Sequence, residues 1–513
     1  MNENTDVNKN IGKNAVANLI GRVWGMISNF LFLPIYIKVL GSENFGLIGF
    51  FSILQVVLNL LSAGLSPTLK REFAIGDNKK ETVLYKYKIL RSTENIFFII
   101  GCFSILLCFF GSDFIVHKWL NIENIDMSLA STAVKVMGFS IAFQIIASIY
   151  TGCILGLEKQ VYVNVLQFVF SSSKAIGSII IILFISPNIV IFFASWAIVD
   201  FIYLLVSRIV IINYLKKFSV LVWNISDTLL LRSLWRYAFG VFAISIVSTL
   251  NTQLDKILIT KYLPLSYTGI YSTAYTLAQI PSITITALSN AVFTRFSYLH
   301  SIKNIKDMND LFKKTYKLFA IIAISLCSFI AGFSKVILDL WLNDAKITSI
   351  AVLPVILLSV ANALLALQIA PYNYLLAMGK TKENNILGLI NIPVLVILLP
   401  LLVKQYGIMG AAFSFFIIML VSTFFYISYF YIKNIGTDFI RWFLADTILP
   451  TVFILGILMV SLLIFRFFNL STIFEFIYAV MCGGITLLIS VILFDGNIRK
   501  LLKYKILGLI KRG

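Results

Sequence analysis

Charge is scarce in this chain. Asp, Glu, Lys and Arg supply 13% of its 513 residues, where a soluble domain carries about 25%. That shortage excludes a soluble globular core. Histidine is rarer still: only His117 and His300 occur, both near the ends of apolar runs and with no obvious acid or metal partner in the sequence. The five cysteines (Cys102, Cys108, Cys153, Cys327 and Cys482) are scattered through apolar stretches, and no pair has metal-ligand or redox spacing. They read as small buried hydrophobes. A cleavable signal sequence is not expected, because the first thirteen residues are polar and the run behind them is too long for a signal core. A phosphate-binding loop is missing too. MGKT (378–381) looks like the end of one, but Tyr374 stands where that loop needs glycine, and an apolar run precedes it. No nucleotide, metal or other cofactor is expected.

Apolar residues are plentiful instead, at 59% of the chain with a mean hydropathy of +0.93. About 20 apolar residues span the hydrocarbon layer as a helix. Fourteen such runs are legible, near 14–39, 44–66, 90–112, 128–152, 160–185, 188–213, 236–260, 266–291, 317–340, 349–370, 384–403, 406–432, 446–466 and 471–494. Backbone groups in lipid must bond internally, which makes these helices. A β-barrel would need strict alternation, and SIIIILFI (178–185) lacks it. The Lys and Arg residues set the orientation. With the N-terminus inside, 31 fall in inside segments and 9 outside, leaving Arg22 and Lys174 within the membrane. Both termini are therefore expected in the cytoplasm. The net charge of +19 is mostly this topology signal, and nucleic-acid binding is not expected. The basic tail (Arg499 to Arg512) is expected along anionic headgroups.

The chain also contains itself twice. An offset of 223 carries Gly46, Gly156 and Lys159 onto Gly269, Gly379 and Lys382, and one of 224 carries Arg71 onto Arg295. LGSENFGLIGFFSIL (40–54) answers LPLSYTGIYSTAYTL (263–277). The expected architecture is an all-α integral membrane protein of about 14 helices: an N-lobe (1–213), a cytoplasmic linker (214–235), a C-lobe (236–432), two further helices (433–494) and the tail (495–513). The lobes, of six helices each, are related by pseudo-two-fold symmetry. Two similar halves rocking about a central site are the build of a transporter.

Helical geometry sorts the intramembrane polar residues onto faces. Asn14, Asn18, Arg22, Gly25 and Asn29 share an arc of about 80° on the first run. Asn164, Gln167, Ser171, Lys174 and Ser178 do so on the fifth. The second run presents Gln55 and Asn59, and the eighth presents Tyr271 and Tyr275. Most such residues serve close helix packing. Arg22 and Lys174 are harder to explain that way, since a mid-membrane base costs about 2.5–3.5 kcal/mol. Asp200, near mid-depth in the sixth run, could pair with either base, as a structural counter-ion or as a coupling site. Either pairing leaves one base over. A cationic cavity suits an anionic substrate, and Arg offers phosphate a bidentate fork.

LGSENFGLIGFF (40–51), GLSPTLKREFA (64–74), GLEKQVYVNVLQ (156–167) and LDKILITKYLPLSYTGIYSTAYTL (254–277) resemble the polysaccharide and O-antigen flippases of the multidrug/oligosaccharidyl-lipid/polysaccharide exporter superfamily. The resemblance covers essentially the full length. It implies two six-helix lobes about a central cavity plus two C-terminal helices. It implies no enzyme activity, and a multi-pass protein of the bacterial inner membrane. The implied act is translocation of undecaprenyl-pyrophosphate-linked oligosaccharide from the cytoplasmic to the periplasmic leaflet. By that resemblance Arg22, Arg71 and Arg295 line the cavity; the polar helix faces and the deep base add Asn18, Asn29, Asn59, Lys174, Tyr271 and Tyr275 as expected substrate contacts. The implied partners are the lipid-linked oligosaccharide, membrane lipids, and polysaccharide polymerase and chain-length proteins. Two rivals are weighed against it. A drug exporter of the same superfamily would prefer acidic cavity residues, and only Asp200 fits. A membrane oligosaccharide polymerase would carry a large periplasmic loop, and the loops here are short.

Overall fold

With no water in the hydrocarbon layer to satisfy peptide groups, a chain this apolar must close its hydrogen bonds within helices. The computed structural model describes residues 31–74, 80–157, 159–217, 228–465 and 472–494, and they are helical almost throughout. Among them the only extended pairing is an isolated bridge between Asn121 and Pro264. Asn18, Arg22, Asn29 and the basic tail lie outside the described residues.

The elements in chain order are α1 (Leu31–Leu40), then α2 (Ser42–Asn59), α3 (Leu65–Ala74), α4 (Lys80–Phe114), α5 (Met127–Gly156), α6 (Gln160–Phe184), α7 (Ile189–Lys216) and α8 (Thr228–Tyr262). After these come α9 (Leu265–Ala278), α10 (Ile280–Ser301), α11 (Ile305–Gly332), α12 (Ser334–Leu342), α13 (Ala345–Ala377), α14 (Thr381–Asn434), α15 (Phe439–Phe443), α16 (Leu449–Phe465) and α17 (Thr472–Phe494). Among the described residues, 10 helices are long and apolar enough to cross a membrane. The fourteen expected runs differ from these for local reasons. The first run lies mostly outside the described residues. The eighth is divided at Gln279, before Pro281, into α9 and α10, neither of which is an apolar span alone. The seventh falls in α8, where Asn251, Gln253, Asp255 and Lys256 dilute the apolar residues. The eleventh and twelfth share α14, which breaks at Gly407 (φ 59°, ψ −137°), a conformation that glycine adopts without penalty.

The chain forms two compact units, 1–269 and 270–513. In the first, α5 is the hub, packed against α3, α4 and α7. Its buried face is rich in small residues, including Ala130, Ala133, Gly138, Ser140, Ala142 and Gly152. Lipid gives no hydrophobic drive for helix association, so close backbone approach through small residues must supply the contact. In the second unit α13 is the hub, packed against α10, α11 and α14. Rings fill one end of that unit: Phe312, Tyr374 and Phe430 meet edge to face or tilted, and Tyr431 stacks on Trp442 at 4.3 Å. The C-terminal pair α16 and α17 packs on α11, and the Tyr478 hydroxyl donates to the Ser461 carbonyl at 2.8 Å.

Within the first unit the loop 119–126 is held down by a buried acid. Glu43, 7% exposed, accepts from the backbone N–H of Glu123 and of Asn124 at 2.6 and 2.8 Å. Beside it, the start of α9 lies directly on α2. A Cβ on Gly46 would stand 2.1 Å from the Leu265 carbonyl oxygen, and one on Gly269 would stand 2.6 Å from the Phe45 ring. These two glycines are the pair that the 223-residue offset relates.

Gly46→Leu is expected to force this contact apart and to destabilise the protein by about 1–3 kcal/mol. Thermal unfolding of the detergent-purified protein reads the change. Gly177→Leu, with nothing within 4 Å of the added carbon, is expected to leave the midpoint unchanged.

Candidate functional site

Lys174 and Asp200 each stand within a turn of the middle of their helices, α6 and α7. At that depth neither charge can be left alone, and the structure brings them together: Lys174 Nζ lies 2.7 Å from Asp200 Oδ2. The same oxygen accepts from Ser140 Oγ at 2.5 Å and from Gln144 Nε2 at 2.8 Å. Ser140 and Gln144 are one turn apart on α5, so both reach α7. Gln144 Oε1 in turn accepts from Gln55 Nε2 on α2. Lys174 Nζ also sits 5.1 Å from the ring centre of Trp196, a cation over an aromatic face. Phe51, Phe192 and Phe193 pack around that indole. One polar chain thus ties α2, α5, α6 and α7 inside an apolar wall.

Its charge is balanced, with one ammonium and one carboxylate. Its hydrogen bonds are not evenly shared, because all three donors converge on Oδ2. A second tie joins α1 to α6, where the Tyr36 hydroxyl and Ser178 Oγ are 2.8 Å apart.

A second acid, Glu94 on α4, was not singled out by the sequence. Its Oε1 accepts from the Tyr150 hydroxyl at 2.8 Å and from Arg208 Nε at 3.2 Å; its Oε2 accepts from an Arg91 guanidinium nitrogen at 2.7 Å. Arg91 Nε donates to the Tyr87 hydroxyl at 3.0 Å. The signal was present: Tyr87, Arg91 and Glu94 have the spacing of one helix face.

The second unit repeats part of the first network without its charge. The 223-residue offset carries Asp200 onto Thr423, and an offset of 224 carries Gln144 onto Gln368. Gln368 Nε2 donates to Thr423 Oγ1 at 2.7 Å, as Gln144 does to Asp200. Lys174 maps onto Ile397, whose side chain is 67% exposed.

The other expected contacts each have surroundings of their own. Asn59 ends α2 half-buried, its carbonyl accepting from Ser62 Oγ at 3.0 Å. Arg71 is exposed on α3, where its charge is felt by the Tyr85 hydroxyl. Arg295 is exposed on α10 with its guanidinium 5.0 Å from the Tyr298 ring centre. Tyr275 is half-buried and meets Phe415 edge to face. Tyr271 is 1% exposed.

Comparison with known proteins places this architecture. Residues 11–300 match the model of the polysaccharide biosynthesis protein family. The chain belongs to that family. A "Putative O-antigen transporter" of Shigella flexneri is 25% identical over 405 residues, which are 78% of this chain and 93% of that protein. Among solved structures, the lipid II flippase MurJ in an inward closed conformation matches with a TM-score of 0.73 at 17% identity, covering 94% of this chain and 99% of that one. An inward-facing multidrug resistance MATE transporter of the MOP superfamily matches with a TM-score of 0.65 at 12% identity, covering 80% of this chain and 94% of the other. The shared fold is an all-helical membrane transporter fold, as the apolar runs and the resemblance implied.

Removing one partner of the deep pair strands the other charge. Asp200→Asn is expected to cost about 3–5 kcal/mol, and Asp200→Leu with Lys174→Met to recover most of it. Thermal unfolding of the three proteins in one detergent measures both effects.

Proposed function

We propose that this protein flips a lipid-linked oligosaccharide, an undecaprenyl-pyrophosphate-linked O-antigen or other surface-polysaccharide unit, from the cytoplasmic to the periplasmic leaflet of the bacterial inner membrane. One observation carries the reading: the likeness to the Shigella flexneri relative extends over 93% of that protein, within a family of polysaccharide biosynthesis proteins. The work itself is binding and conformational change, with no catalytic step. A sugar diphosphate headgroup cannot enter hydrocarbon without replacement of its water, and an intramembrane base is what a diphosphate requires.

In this reading Arg22 meets the diphosphate as a bidentate fork and Lys174 assists it. Asp200 is the counter-ion that keeps Lys174 charged between turnovers. Asn18, Asn29, Asn59, Tyr271 and Tyr275 serve the sugar, while Arg71 and Arg295, related by the offset of 224, occupy corresponding positions in the two repeats. The two repeats expose the polar path alternately to the two leaflets. Support for the duplication comes from the hubs, since the offset carries α5 onto α13, and from the meeting of Gly46 with the start of α9. Polysaccharide polymerase and chain-length proteins are the proposed partners on the far side.

Arg22→Ala is expected to abolish surface polysaccharide with nearly normal protein in the membrane, and Arg22→Lys to retain part of it. Loss of the protein itself would assign Arg22 a structural role. The paired variant Lys174→Met with Asp200→Leu is expected to fold but to transport less than a tenth of the wild-type amount in proteoliposomes; full transport would make the pair purely structural. The orientation is checked separately. Reporter fusions after residues 120 and 223 are expected to read periplasmic and cytoplasmic, and two reporters on one side would defeat it.

A further inference from the structure

The second unit holds a trough of about 550 Å³ between α13 and the two arms of α14, a volume in the range of small-molecule sites. Its walls are mostly apolar, formed by Leu365, Ile369, Val394, Ile418, Val421 and Phe425, with Gln368, Asn391 and Ser422 set among them. From Ile417 to Tyr429 it follows α14 for about 18 Å, roughly half the hydrocarbon thickness. That is the depth of one leaflet.

One end is polar and built. The Tyr426 hydroxyl donates to Asn384 Oδ1 at 2.7 Å, and Asn384 Nδ2 donates to the Tyr372 carbonyl at 3.3 Å. Beside them Lys433 Nζ donates to Glu383 Oε1 at 2.9 Å and to the Tyr429 hydroxyl at 2.8 Å. Two requirements are left open. Glu383 Oε2 is buried and has no hydrogen-bond partner, and a buried charged acceptor without a donor costs more than the 1–3 kcal/mol of a neutral one. The ammonium of Lys433, on a side chain 44% exposed, has three protons and spends two.

We propose that this trough binds one phospholipid with a phosphoethanolamine head. An acyl chain lies along α14, the primary ammonium donates to Glu383 Oε2, and the phosphate accepts from Lys433. The ion pair selects the head. A phosphoglycerol head offers Lys433 its phosphate but brings no cation to the carboxylate. A phosphocholine head brings a cation without an N–H, so Oε2 stays unbonded. The tyrosines at this end could hold such a cation by their ring faces alone, which is the weaker contact. The site is independent of the flippase reading, because it asks only for a membrane lipid.

The experiment uses the purified full-length protein in detergent with added dioleoyl phosphatidylethanolamine, phosphatidylcholine or phosphatidylglycerol. Native mass spectrometry counts retained lipid, and thermal unfolding measures the response. Wild type is expected to retain one phosphatidylethanolamine with a preference of about tenfold over the other two, the size of one charge-assisted hydrogen bond. Glu383→Gln is expected to bring phosphatidylethanolamine and phosphatidylcholine to parity. Val421→Trp, which fills the trough and leaves the ion pair in place, is expected to abolish retention of all three. Equal retention by wild type would mean unspecific surrounding lipid and overturn the proposal. A phosphatidylglycerol preference would make Lys433 a plain anion site and overturn it too. Retention unchanged by Val421→Trp would place the lipid elsewhere. Transport assays play no part, so failure of the flippase reading leaves this result standing.

Discussion

A charge in hydrocarbon must be neutralised where it stands, and the first unit is organised around that demand. Water there is not available to share the cost, and a lone mid-membrane base or acid costs several kcal/mol. Lys174 and Asp200 meet at 2.7 Å. Meeting fixes α6 against α7, and the remaining capacity of Asp200 Oδ2 draws in Ser140 and Gln144 from α5. Through Gln144 the chain reaches Gln55 on α2. The α5 hub can lie close enough to do this because its inner face is small, with Gly138 and Ala142 flanking Ser140. Small residues set the distance and the polar atoms set the register.

Much of this was legible in the sequence, and the missing part has a physical cause. Lys174 and Asp200 stood out because charge is conspicuous in an apolar run. Their partnership did not, since Arg22 was an equal claimant and sequence carries no distance between separate helices. Ser140 and Gln144 passed unremarked, being neutral residues of a kind common in packed membrane helices. Glu94 escaped because it sits near the start of the apolar run 90–112, where charge is ordinary; its bonds to Tyr150 and Arg208 depend on two other helices. Apolar runs were easy to count but not to divide. Hydropathy does not register that Gly407 takes a positive φ, nor that the chain turns at Gln279 before Pro281.

The family, the fold and the repeat converge on a transporter, yet the halves are not chemically equal. Each hub helix offers an amide to a neighbouring helix: Gln144 on α5 to Asp200 on α7, and Gln368 on α13 to Thr423 on the second arm of α14. The hydrogen bond is the common element. The ion pair belongs to the first unit alone, for where Lys174 stands the second unit has Ile397, turned outward at 67% exposure. The base and the acid are thus absent together, as they must be, since either one without the other would be stranded.

That comparison bears on what the pair is for. If stitching helices were its whole purpose, the second unit would need it equally, and the second unit manages with an amide and a hydroxyl. A neutral hydrogen bond of this kind contributes roughly 1 kcal/mol and leaves no charge at risk. A buried ion pair is a poor substitute as a fastener, because desolvation offsets most of its attraction and loss of either member is costly. The first unit nonetheless carries the riskier arrangement at the same place in the fold. Stability alone does not account for the difference between the halves; in the proposed reading the property that counts is the one only the charged version has, an ammonium held inside the membrane for which an arriving phosphate would compete.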